Sequence, residues 1–347
     1  MPMTGIQRVQ AALAGRPADC VPVVPEIIQH ALNISGARHR EYSTDPQVMA
    51  DTILAAQRRY DYDAVYVSTD NYILAEAFGA PVNFPDDEPP QLLAHPLSGG
   101  YDQPLKPFST GNGRLPVILE ATRLCREAVG DRIFIKTNID SAPFSAAACL
   151  RGPQDFLMDL YDEEDEHVLP LLQSCTDAIV AYGQAAARAG AHGLAFGDSV
   201  ASLISREHFL RYVLPYAQQA VSRLHGTGLP VFYHICGNTT HLLDLVMEIG
   251  ADCVELDSMV SMEQAKQTAK GRCALEGNIS TIQALYEGTP ADVAREADAL
   301  LELFGRQGGF ILSSACEVPR NTPGENLMEI TRSARRFHYA EKESCRE

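Results

Sequence analysis

Short runs of β-branched and aliphatic residues alternate along this chain with longer stretches of helical period. The apolar runs are CVPVVPE (20–26), YDAVYVSTD (62–70), RIFIKTNID (132–140), GLAFGD (193–198), LPVFYHIC (229–236), DCVELD (252–257), CALEGNI (273–279) and GFILSSACE (309–317). Runs of this length, bounded by turn residues, read as buried strands. Among the intervening segments, DPQVMADTILAAQRRY reads as a helix, and SREHFLRYVLPYAQQAVSRLHG reads as a connecting helix kinked at Pro215. Another helix is expected to start at Thr289–Pro290, with Thr289 as cap and Pro290 in the first turn. Eight strand–helix units predict an α/β protein whose parallel sheet closes into a (β/α)8 TIM barrel, rather than an open doubly wound sheet. No GxGxxG follows the first run, which argues against a dinucleotide-binding half. Residues 1–347 are expected to form a single barrel domain. Its alternation is interrupted by a Pro-rich section, so about 71–115 is expected to be an irregular excursion over one end.

Composition narrows the classes without naming one. The formal net charge is -17 and 46% of residues are hydrophobic. An acidic chain of this kind is not built for nucleic acid, although a small anionic substrate could still find a local basic pocket. No run of 18 apolar residues occurs, so no membrane span is expected, and the start lacks the basic-then-apolar layout of a secretory signal. Nine scattered cysteines point to free or metal-bound thiols in a reducing cytoplasm.

In a barrel of this kind the chemistry lies at the carboxyl ends of the strands. Asp70 and Asn71 end the second run, Asn138 and Asp140 the third, and Asp198 the fourth. His234 and Cys236 end the fifth, Glu255 and Asp257 the sixth, Glu276 and Asn278 the seventh, and Cys316 and Glu317 the eighth. Residues two apart on a strand share a face, so His234 and Cys236 point the same way. Two donors do not complete a zinc site, but the fifth and eighth strands converge at the barrel top, which makes Cys316 a candidate third. The spacing alone leaves a second reading open, in which the thiols are small buried hydrophobes and the histidine a satisfied core residue. Cys149 and Cys175 fall in helical stretches, Cys20, Cys253 and Cys273 at strand starts, and Cys345 in the tail, where packing or exposure accounts for them. His192, His208, His225 and His241 read as helix or loop residues, and the acidic stretch 161–167 as a solvated helix start.

Several blocks resemble the uroporphyrinogen decarboxylase superfamily. They include RVQAALAGRPADCVPVVPE, STDNYILAEAFGAPVNFPDD, GDSVASLISREHFLRYVLPY and HICGNTTHLLDLVMEIGADCVELDSM, followed by ALEGNIST and SSACEVPRNTPGENLMEI. The H-x-C-G-N-T element and the C-x-x-P-x-x-T-P-x-E-N ending are closer to its zinc-dependent corrinoid methyltransferase branch, which includes the methylcobamide:coenzyme M methyltransferases. The resemblance implies zinc on His234, Cys236 and Cys316. It also implies transfer of a methyl group between a corrinoid and a small thiol or methylated substrate. The chain has no room for a cobalamin-binding domain and no D-x-H-x-x-G motif, so the corrinoid is expected on a partner protein.

Glu276, Glu255, Asp257 and Glu317 are then candidates for a fourth, displaceable zinc ligand. Asp198 and Asn278 are expected to line the pocket. Catalytic roles are assigned to Glu276, Asp257 and Asp198, and substrate contacts to Asp70, Asn278 and Glu317. The alternatives are a decarboxylase-type tetrapyrrole enzyme and a non-catalytic corrinoid- or tetrapyrrole-binding protein. Asp70 matches the decarboxylases' pyrrole-binding aspartate. However, PEIIQHALNISGARHREY stands where those enzymes carry an arginine-rich MRQAGR segment, which leaves Asp70 without the cradle for substrate carboxylates.

Overall fold

A computed structural model describes residues 2–161, 165–305 and 307–344, with side chains described up to residue 337. Cys345 and residues 162–164 of the acidic stretch lie outside the described residues. Among the described residues nine strands follow one another: β1 (Ala64–Val67), β2 (Val82–Asn83), β3 (Gln91–Leu92), β4 (Phe134–Ser141), β5 (Gly193–Asp198), β6 (Val231–Ile235), β7 (Cys253–Leu256), β8 (Ala274–Ile279) and β9 (Phe310–Ser314). Seven form one parallel sheet in the order β1-β4-β5-β6-β7-β8-β9. Their near-continuous burial, complete in β1, β7 and β9, is that of strands covered on both faces.

The first expected strand is the exception. Residues 20–26 are extended, but they make a single parallel bridge, Val23 to Leu312. Pro22 and Pro25 have no N–H to give a ladder, which explains the short pairing. The segment still closes the barrel. Val24 N donates to Leu312 O and Leu312 N to Pro22 O, each at 2.9 Å, while Asp63 N on the other side donates to Val23 O at 2.8 Å. The buried Asp63 carboxylate adds a hydrogen bond from Val23 N at 2.9 Å. The eighth stave is therefore stitched in at its ends by the neighbouring chains.

The connecting helices follow local signals. The helix Pro46–Tyr60 is capped by Asp45, whose Oδ1 accepts the N–H groups of Gln47 and Val48. Thr289 caps Pro290–Phe304 in a reciprocal capping box with Asp292. The connection at Pro215 runs through a π-helical turn, Phe209–Val213, directly before the helix Leu214–Leu224. That widening accommodates a proline ring that would clash with a regular preceding turn.

Residues 71–115 hold a five-residue helix, Ile73–Ala77, and the antiparallel pair β2–β3, with turns between. Pro89 and Pro90 of this segment line a cavity at the carboxyl ends of the strands. Among the described residues no helix is long and apolar enough to cross a membrane.

A candidate metal centre at the barrel mouth

Parallel register places His234 of β6 beside Gly197 of β5 on one side and Glu255 of β7 on the other, and Glu255 beside Glu276 of β8. These residues therefore share the interior face. A Cβ at Gly197 would lie 3.2 Å from the His234 Cβ, so glycine keeps the space beside the histidine open. After β6 the chain turns at Gly237, whose φ of 80° is left-handed. The Gly237 N–H donates to Asp257 Oδ2 at 2.9 Å, and Cys236 N donates to Asp198 O at 3.1 Å. These bonds hold the turn so that Cys236 follows His234 around the rim. Cys316 arrives from the other side, two residues past the end of β9, where Ala315 N donates to Ile279 O at 2.8 Å.

The ligand atoms of His234, Cys236 and Cys316 all lie within 4.8 Å of one another, and His234 Nε2 is 3.1 Å from Cys236 Sγ. Two donors on one tetrahedral zinc stand about 3.5–3.8 Å apart, from Zn–N near 2.0 Å and Zn–S near 2.3 Å. The spacing brackets that value, and one imidazole with two thiols is a zinc-type donor set. The other ring nitrogen, Nδ1, is buried with no hydrogen-bond partner and faces Glu255 Oε2 at 4.0 Å. Burial works against a charged imidazole here, but the Cys316 thiol and the Glu26 and Glu255 carboxyls raise His234 to about 10. Cys236 beside it and burial push the Cys316 thiol up.

Two residues of the site were not singled out from the sequence. Glu26 ends the closing segment and forms a second cluster with His234 and Glu255, again within 4.8 Å. Burial raises its carboxyl well above the usual range. The rule that picked carboxylates at strand ends applies equally to CVPVVPE and would have found it. Lys136, in the middle of β4, is wholly buried and pairs with Glu255 at 2.5 Å and Glu276 at 2.8 Å. It also lies over the rings of Tyr66 and Phe232. Burial opposes its charge, but the two carboxylates hold it protonated. A lysine inside the apolar run RIFIKTNI was the available signal, since a buried lysine requires a partner.

The remaining expected residues divide. Asp70 and Glu317 line the same cavity of about 250 Å³ as Glu26 and the three metal-type donors. Asp70 is gripped by Arg114 through two hydrogen bonds, at 2.7 and 3.1 Å. Glu317 accepts the Gln29 N–H at 3.3 Å, and burial lifts its carboxyl to about 7. Glu276 sits below the mouth against Lys136. Asp198, expected to line the pocket, is not among its lining residues. It is fully buried, accepting from Tyr233 Oη at 2.6 Å and from Ser145 N and Oγ at 3.0 and 2.7 Å. Asp257 and Asn278 are likewise absent from the lining, and both border a separate surface groove. Asn278 Nδ2 is committed to the carbonyls of Asp257 and Val260.

Comparison with known proteins gives the same outline. The chain is 30% identical over 340 residues to a methylcobamide:CoM methyltransferase of Methanosarcina acetivorans, covering 96% of this chain and 98% of the relative. It is 28% identical over 340 residues to a methylated-thiol–coenzyme M methyltransferase of Methanosarcina mazei, covering 96% and 89%. A solved methyltransferase structure from Methanosarcina mazei superposes with a TM-score of 0.89 at 27% identity, covering 97% of this chain and 99% of that one. Residues 4–337 match the uroporphyrinogen decarboxylase (URO-D) family model, and the chain belongs to that family.

Proposed function

We propose that this protein moves a methyl group between a corrinoid on a partner protein and a small thiol or methylated substrate, using zinc held by His234, Cys236 and Cys316. The convergence of those three donors on the wall of the cavity carries the reading. The names of the relatives, which specify methylcobamide, coenzyme M and methylated thiol, support it. Zinc in such a site supplies Lewis acidity that lowers the pKa of a substrate thiol and makes it a thiolate near neutral pH.

The chain's own residues do the rest. Glu255 stands behind the imidazole and is held in turn by Lys136, so the ring presents Nε2 to the cavity. Glu26 joins Glu255 in a second cluster around His234, separate from that of the two thiols, and so flanks the imidazole. Glu276 serves Lys136 instead. Glu317 is positioned to touch substrate, whereas Asp70 lines the cavity with both its oxygens held by Arg114.

A decarboxylase reading meets two obstacles. Among the described residues no Lys or Arg lines the cavity to hold substrate carboxylates, and Asp70 is already occupied by Arg114. The test is to mix zinc-loaded protein with a methylated corrinoid protein and a thiol, and to follow the corrinoid spectrum. The Co(I) spectrum is expected to appear, and to be lost with His234→Ala or Cys316→Ala. No spectral change with any thiol or methyl donor would favour a binding protein instead.

A further inference from the structure

The cavity that holds the three donors is lined by four carboxyl side chains, and His234 is its basic group. Glu26, Asp70, Asp140 and Glu317 line it, and among the described residues no Lys or Arg does. The two nearby cations are already paired, and Arg114 neutralises one of the lining carboxylates, Asp70. Arg114, 5% exposed, is closed off by Asp70 and Glu76 at 2.7 Å each. Lys136, 1% exposed, is closed off by Glu255 and Glu276. Asp140 is satisfied by the N–H groups of Leu74 and Ser141, at 2.5 and 2.6 Å. Glu317 differs. Its Oε1 takes the Gln29 N–H, and among the described residues no hydrogen bond occupies Oε2. The rings of Tyr66 and Tyr72 add aromatic surface to the lining. An unpartnered carboxyl oxygen beside aromatic rings, with no lysine or arginine facing it, favours a cation over an anion.

We propose that the small substrate of this site carries a positive charge, of the quaternary-ammonium type, and that thiols bearing a sulfonate or carboxylate are poor ligands for it. This deepens the methyl-transfer reading and rests on it. It also sets this chain apart from relatives named for coenzyme M, which is a sulfonate thiol.

The test uses three thiols on one two-carbon skeleton: thiocholine, 2-mercaptoethanol and 2-mercaptoethanesulfonate. Binding to the zinc-loaded protein is measured by titration calorimetry, and kcat/KM is measured with a methylated corrinoid donor. Thiocholine is expected to bind at least ten-fold more tightly than the sulfonate, with mercaptoethanol between them. Glu317→Gln is expected to retain zinc and to shrink the preference for thiocholine over mercaptoethanol several-fold. Sulfonate binding as tight as thiocholine binding overturns this inference and leaves methyl transfer standing. Failure of all three thiols both to bind and to accept methyl overturns the methyl-transfer reading, and this inference with it.

Discussion

His234 and Glu255 occupy one register position on adjacent strands, with imidazole Nδ1 4.0 Å from the carboxylate and Nε2 3.1 Å from the Cys236 sulfur. The ring thus stands between an anion and the thiol cluster. A carboxylate behind a metal-bound imidazole orients it and raises its basicity. Glu255→Gln is therefore expected to weaken zinc binding about 10- to 100-fold while the protein stays folded. Competition against a chromophoric chelator measures this, and an unchanged zinc affinity would remove Glu255 from the site.

Lys136 is the only counter-charge drawn in toward both Glu255 and Glu276 among the described ion pairs. Replacing it strands two carboxyls in the barrel interior. Breaking a buried pair by deleting one partner costs about 3–5 kcal/mol. Lys136→Met is expected to lose about that much in urea unfolding. A loss below about 1 kcal/mol would mean that the carboxyls find another partner or protonate at little cost.

Asp140 gives the fold a pH dependence. Burial raises its carboxyl to about 6, against the hydrogen bonds from Leu74 and Ser141. A carboxyl raised in the folded state contributes stability that is fully present below its unfolded value, near 3.8, and is lost as pH rises through about 6. The shift corresponds to at most about 3 kcal/mol. Unfolding free energies measured from pH 3.5 to 7 are expected to show this decline in the wild type and a flatter profile in Asp140→Asn. Equal slopes would contradict the assignment.

Asp198 is a positioning residue for the fold, since it anchors Tyr233 and Ser145 beneath the rim. Removing one partner of a buried, charge-assisted hydrogen bond costs about 1–3 kcal/mol. Tyr233→Phe and Asp198→Asn are each expected to lose about that much while retaining zinc. Loss of zinc with unchanged stability would place Asp198 in the chemistry instead.

Much of this was legible in the chain because strand burial and strand ends leave direct marks. VFYHIC is apolar until its carboxyl end, and that end carries the donors. Cys316 could be paired with them only through barrel closure, since 79 residues lie between it and Cys236. The closing segment misled in one respect. Its valines suggested a full strand, but its two prolines withdrew the ladder. The acids at the strand ends were harder to read. Asp198 is level with Ile235, one residue past His234, and Asp257 lies two residues past Glu255, and their side chains go to Tyr233 and to the Gly237 N–H instead of the cavity. For Lys136 the apolar run around it marks burial, but its partners, two carboxylates from distant strands, leave no mark near it in the sequence.

The most direct measurement is zinc K-edge X-ray absorption on the purified protein, with metal analysis on the same sample. About one zinc per chain is expected, with two sulfurs near 2.3 Å and a nitrogen near 2.0 Å, and with a third sulfur once a substrate thiol is added. A protein that holds no zinc, or holds it only through oxygen and nitrogen, would contradict the role given to His234, Cys236 and Cys316.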